Sequence, residues 1–168
     1  MAADDASPPG EEVVVAETGV GRLQVEARTA TGAILIDEPA SVGGLGSGPN
    51  PYDLMSAALG ACTAMTLRLY AGRKGWPLTR VEVGVRHHRA SLNARDLFER
   101  RIRLEGALDA AQRAQLLAIA ERCPVHRTLD RGADVKTTLT EAAAAGEPSL
   151  AAPPEHMRDM EEAGGSES

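Results

Sequence analysis

The stretch that decides the fold runs from Gly48 to Gly75, GPNPYDLMSAALGACTAMTLRLYAGRKG. Its left end reads as a helix start. Asn50 can cap, Pro51 suits a first helical position where its missing N–H is not needed, and Asp53 places an acceptor in the first turn. Its right end reads as a stop, with Gly75 free to turn left-handed and Pro77 unable to continue the helix. From Leu54 to Leu67 every face is apolar or small, and such a helix is buried on all sides. A chain of 168 residues has little with which to wrap it, so a second subunit is the expected supplier.

Working outward, Glu12 to Thr18 is β-branched and apolar, and Gly19-Val20-Gly21 marks a turn. Leu23, Val25 and Ala27 then alternate with polar residues, the period of a half-buried strand. Ala33 to Asp37 makes a third strand after the Thr31-Gly32 turn. The glycine-rich segment Ser41 to Asn50 is a loop, and without a following Lys-Ser/Thr it is no P-loop. Beyond the helix, Val81, Val83, Val85 and His87 share one strand face, and Phe98, Arg100, Ile102 and Leu104 share a face of the next strand. His87 and His88 point to opposite faces. Asp109 and Gln112 form a capping box for a helix whose inward face carries Leu116, Ile119, Ala120 and Cys123, with Pro124 as a break and one further turn over Val125 to Leu129. Val135, Thr137 and Leu139 alternate as a final strand. The order β3-α-β2-α(α)-β is α+β rather than an alternating doubly wound sheet.

The net charge of −6 belongs to the ends. Asp4, Asp5, Glu11 and Glu12 crowd one end, and six acids stand against Arg158 beyond residue 141. The middle is weakly basic, without a basic patch interleaved with aromatics, so no nucleic-acid partner is expected. Residues 1–10 and 142–168 read as disordered tails around one domain over 11–141. Their Ala/Gly/Pro/Glu-rich composition can bury too little to offset the entropy of ordering, though a short helix fits the last third of the second tail. No uncharged apolar run approaches the roughly 20 residues of a membrane span, and residues 1–12 lack the apolar stretch of a signal peptide. A cytoplasmic address follows.

The chain has two cysteines, Cys62 and Cys123. In a reducing compartment a permanent staple is not expected, and the histidines are not spaced to complete a zinc site. Either cysteine alone reads as a small buried hydrophobe. As a pair on the inward faces of two helices, they suggest redox chemistry. A thiolate takes oxygen from a peroxide, and the resulting sulfenic acid condenses with a second thiol. Attack needs thiolate, and an apolar site raises a thiol's pKa. Cys62 stands about three turns into its helix, too far for the helix dipole to help much. A cation is therefore required, and Arg22, in the first turn of the meander, is the first candidate, with Asp53 to orient it. Their plainer readings are a solvated turn arginine and a helix-capping acid.

The segments GPNPYDLMSAALGACTAMTLRLYA and ERCPVHRTL, in this order of elements, resemble the OsmC/Ohr proteins, the osmotically inducible and organic hydroperoxide resistance family. The resemblance covers roughly Val13 to Glu141. It implies an intertwined homodimer with two long central helices. It also implies a thiol peroxidase acting on organic hydroperoxides, with Cys62 peroxidatic and Cys123 resolving. A dithiol such as a lipoylated protein would re-reduce it, with no metal or organic cofactor. The sequence departs from the well-studied peroxidases at Tyr52, where they carry a glutamate that holds the catalytic arginine. Asp53 lies one residue on, rotated by about 100° around the helix. The alternative implied by that departure is a small-molecule-binding or thiol redox-sensing module on the same fold, without efficient peroxidase activity.

Overall fold

The computed structural model describes residues 12–141 and 155–165. They fall into two compact units, the first formed by the residues up to Pro51 with those from Thr137 to Glu141, the second by Tyr52–Lys136 with the residues from Glu155 onward.

In the first unit β1 (Val14–Glu17), β2 (Val25–Thr29) and β3 (Gly32–Ile36) form an antiparallel meander. Val25 pairs with Glu17 on one side and Ile36 on the other. The glycine-rich loop after β3 folds around one carboxylate. Asp37, 1% exposed, accepts from the Leu45 and Ser47 backbone N–H groups and from the Ser47 hydroxyl at 2.9, 3.2 and 2.7 Å, and from Glu38 N–H at 2.8 Å. Gly48 is required here by close approach, because a Cβ would lie 2.2 Å from the Leu35 carbonyl oxygen.

In the second unit α1 (Pro51–Arg73) ends as the sequence indicates. Gly75 takes φ +64°, its N–H bonds Gly72 C=O at 3.1 Å and Trp76 N–H bonds Ala71 C=O at 2.9 Å, which satisfies two end carbonyls of the helix. β4 (Leu78–His88) and β5 (Leu97–Gly106) form an antiparallel hairpin with Val83 opposite Ile102, Val85 opposite Arg100 and His87 opposite Phe98. α2 (Ala110–Ala120) starts from the expected Asp109–Gln112 capping box, and Pro124 opens α3 (Pro124–Arg131).

One face of α1 makes the core. Leu67, Tyr70 and Ala71 pack with Leu78, Leu116, Ile119 and Ala120, and the inward residues Val81, Ile102 and Leu104 of the hairpin lie against them. Among the described residues α1 is long and apolar enough to cross a membrane by length and composition alone. Its packing is that of a core helix, with Arg68 donating to the Leu78 and Thr79 carbonyls. In the single chain, however, Ala57, Ala58, Ala61 and Met65 remain exposed, so α1 is not enclosed on every side.

Two expectations are corrected. No strand forms over Val135–Leu139. Val135 and Leu139 are 86% and 96% exposed, and an alternating segment becomes a strand only where a sheet edge is available to pair it. The tail beyond 142 is not uniformly disordered either. α4 spans Glu155–Ala163, and its Met160, 2% exposed, packs into an apolar cluster with Leu59, Cys62 and Cys123. One anchor of that size compensates for a polar composition. The expectations for residues 1–10, 142–154 and 166–168 lie outside the described residues.

Two outcomes follow. Met160→Ala should destabilise the protein by about 2 to 5 kcal/mol, the cost of emptying a buried Met site, and removing α4 should lower the melting temperature, both read by thermal denaturation. Asp37→Asn should loosen the loop. The Ser47 hydroxyl bond, ahead of the backbone bonds, holds the Asp37 carboxyl below its ordinary value of 3.8. Its stabilisation is therefore full above that value and lost as pH falls through the folded one. The melting temperatures of wild type and Asp37→Asn should converge in acid.

A buried dithiol as the candidate functional site

Cys62 is placed by α1, eleven residues after its first residue, facing the hairpin. Gly60, two residues before it, faces Val83 and Val85 of β4, where a Cβ would make ordinary contact at 3.6 Å. Cys123 is placed by the break between α2 and α3. It occupies the N-cap position of α3, with Pro124 at the first helical residue. The two thiols are 5% and 0% exposed, both free, and within hydrogen-bonding reach of each other. Leu59 and Met160 close the cluster, and Val85, Phe98, Val125 and Leu129 pack against it.

The two sulfurs are not equivalent. Thiols in contact lose their protons in sequence, because a first thiolate is stabilised by the neighbouring S–H and a second is opposed by the first charge. Cys123 is the favoured first thiolate. The contact with Cys62 is the largest cause, and it acts against desolvation. Cys62 is pushed up, first by its bond to Cys123 and then by burial, against weaker help from Val125 N–H and Thr66.

The residue that sequence reading passed over is Arg100. It stands on the inward face of β5 with its side chain only 8% exposed. Its guanidinium donates to Thr63 Oγ1 at 2.8 Å and to Glu121 Oε1 at 2.9 Å. Glu121 Oε2 in turn lies 3.4 Å from His126 Nε2. The signal was present: a charged residue in an alternation otherwise made of Phe98, Ile102 and Leu104. A buried arginine needs partners, and a strand pattern alone does not name them.

Arg22 is exposed in the turn between β1 and β2 of the first unit. Asp53 is exposed in the first turn of α1, nine residues and about 13 Å along the axis from Cys62. Within the second unit Arg100 bonds Thr63, the residue that follows Cys62. Tyr52 stacks on His87 with centroids 4.2 Å apart and planes at 9°, and His87 also meets Phe98 at 4.8 Å. His87 Nε2 pairs with Asp96 Oδ1 at 2.8 Å. Phe98 and Leu129, which touch the thiol cluster, also line a groove of about 270 Å3 with Met55, Arg95 and Arg131.

A family model described as OsmC-like protein matches residues 44–138, more than half of the chain. The chain belongs to the OsmC-like family. Members of that fold superpose over most of its length. A Psychrobacter arcticus protein is 20% identical, with a TM-score of 0.64 over 73% of this chain and 90% of its own. The organic hydroperoxide resistance protein OsmC of Legionella pneumophila is 21% identical, with a TM-score of 0.52 over 73% and 90%. The organic hydroperoxide resistance protein OhrB of Bacillus subtilis is 20% identical, with 0.52 over 71% and 90%. No curated protein matches the sequence. At these identities the likeness extends to the OsmC fold, with its mixed α+β layers, and stops there. Among the described residues no group of three or more His, Cys, Asp or Glu is disposed to hold a metal.

Mild oxidation of the reduced protein with diamide should remove both free thiols together and give an intramolecular Cys62–Cys123 disulfide, read by thiol titration and peptide mass mapping.

Proposed function

We propose that the protein is a cysteine-based peroxidase that reduces organic hydroperoxides, with Cys62 as the attacking thiol and Cys123 as its resolver. The observation that carries this reading is the contact of the only two thiols of the chain inside one apolar cluster. The family membership and the hydroperoxide-resistance names of the Legionella and Bacillus relatives support it. The Cys62 thiolate attacks the terminal oxygen of the hydroperoxide, the O–O bond breaks and an alcohol leaves. Cys123 then displaces hydroxide from the Cys62 sulfenic acid to close the disulfide. The groove beside Phe98 and Leu129 offers an apolar wall to an alkyl chain, with Arg95 and Arg131 at its edge. An external dithiol, for which a lipoylated protein is suited, reopens the disulfide in the cytoplasm. Arg22 and Asp53 stay in this reading as activating groups on the strength of sequence position.

The working unit is a homodimer in this reading. The stripe Ala57, Ala58, Ala61 and Met65 on α1 is exposed in one chain, and small residues along a helix admit close approach of a second one. Sedimentation should give a dimer at micromolar concentration; a folded monomer there would remove the argument.

One observation favours the second reading, a redox-sensing or binding module. Tyr52, where the well-studied peroxidases have glutamate, is engaged in a ring stack with His87. Turnover decides between them. With cumene hydroperoxide and a dithiol, the wild type should consume many equivalents, Cys62→Ser should lose at least a hundredfold in rate, and Cys123→Ser should still yield a trappable Cys62 sulfenic acid but no disulfide. A single oxidation without turnover would favour the sensor. Sulfenic acid on Cys123 in the Cys62→Ser variant, formed as fast as wild-type oxidation, would reverse the two roles.

A further inference from the structure

We propose that α4 is a lid on the dithiol. Met160 seals Cys62 and Cys123 in the resting protein, and undocking of α4, a local event that leaves the core standing, gives reagents their way to the thiols. Access of this kind applies to any thiol reagent and is independent of the peroxidase reading.

Most of the wall around the thiols belongs to firmly joined parts of the second unit. α1 contributes Leu59, the hairpin Val85 and Phe98, and α3 Val125 and Leu129. α1, α2 and the hairpin also meet in the larger core, through Leu67, Leu116 and Ile119 with Val81, Ile102 and Leu104. Parting α1 from the hairpin to reach a sulfur would therefore break that core as well. The groove beside Phe98 and Leu129 gives no entry, since neither cysteine lines it. The remaining wall is Met160 of α4, itself 2% exposed.

α4 is held more lightly. Met160 and, one turn on, Ala163 are buried, while His156, Met157, Arg158, Asp159, Glu161 and Glu162 are exposed. Its far end lies against α1, where Arg73 Nη1 donates to the Glu161 carbonyl at 2.7 Å and a Cβ on Gly164 would meet the Tyr70 ring at 3.4 Å. Toward α3, Asp159 and Glu162 share a recess of about 150 Å3 with Arg127 and Arg131, and attraction between such exposed charges is screened by water and salt. A helix of nine residues is not stable alone in water, so α4 depends on its docking. Elements held by few buried contacts open locally at less cost than global unfolding. α4 also lies outside residues 44–138, which match the family model, so the lid is no part of what the sequence shares with that model. Thiol reactivity is then set by the open fraction of α4 as well as by the sulfurs.

The rate at which the reduced full-length protein reacts with 4,4′-dithiodipyridine, a neutral thiol reagent, reads that open fraction. Wild type should react at least about a hundredfold slower than the chain unfolded in guanidinium. Met160→Glu puts a charge into the apolar cluster and should speed the native-state reaction by about tenfold or more, whereas Met160→Leu keeps the anchor and should react as wild type does. Arg73→Gln loosens α4 at its far end, away from the sulfurs, and should also speed the reaction, even where Met160→Glu does not fold. Leu116→Ala weakens the other core cluster without touching α4, and well below its melting temperature it should stay near the wild-type rate. Hydrogen exchange should show residues 155–163 losing protection in Arg73→Gln while α2 keeps it. Wild-type thiols as reactive as those of the unfolded chain, Leu116→Ala as fast as Arg73→Gln, or lost protection over 155–163 with an unchanged thiol rate overturns the lid. Thiols of Met160→Glu or Arg73→Gln that take dithiodipyridine faster than wild type yet survive excess cumene hydroperoxide would overturn the peroxidase reading and leave the lid standing.

Discussion

The structure of the second unit depends on how the inward face of α1 is buried. Leu59, Cys62, Thr63, Thr66, Leu67, Tyr70 and Ala71 follow one another at helical spacing and are all buried. No water reaches that face, so every polar group on it must find a partner inside the protein. Thr66 returns its hydroxyl proton to the carbonyl one turn back. Thr63 is met by Arg100. The two thiols meet each other inside one apolar cluster.

That constraint bears on how a pair of thiols sits in an apolar core. Burial alone raises a thiol's pKa and makes it inert. Here the neighbouring thiol matters as well, since their contact lowers the Cys123 pKa and raises that of Cys62. α4 belongs to this arrangement, because Met160 closes the cluster from a segment whose composition is otherwise that of a solvated tail.

The first unit is organised around a different constraint. A glycine-rich loop crosses close to its own backbone at Gly44 and Gly48, and a single buried carboxylate, Asp37, gathers the amide groups that such a turn leaves unpaired. Loop shape there is fixed by hydrogen bonds rather than by apolar burial, which is why acid should affect it.

The sequence by itself determined the elements. Helix ends at Pro51 and Gly75, the Asp109–Gln112 cap, the meander and the β4–β5 alternation all rest on local chemistry: caps, turns and periods that involve residues a few positions apart. It also marked Cys62 and Cys123 as inward-facing. Only the tertiary structure decided what those residues meet. Val135–Leu139 has a strand's alternation but no edge to pair with among the described residues. Glu155–Ala163 lay in a segment read as a tail with room for a short helix, yet its Met160 packs against Leu59, Cys62 and Cys123. Arg22 was the arginine that sequence position favoured, whereas Arg100 is the one bonded to Thr63, because hairpin register sets it opposite Val85, on the face that packs against α1. Local signals are written in neighbouring residues. A hydrogen bond between positions 63 and 100 depends on register and packing, which no local pattern encodes.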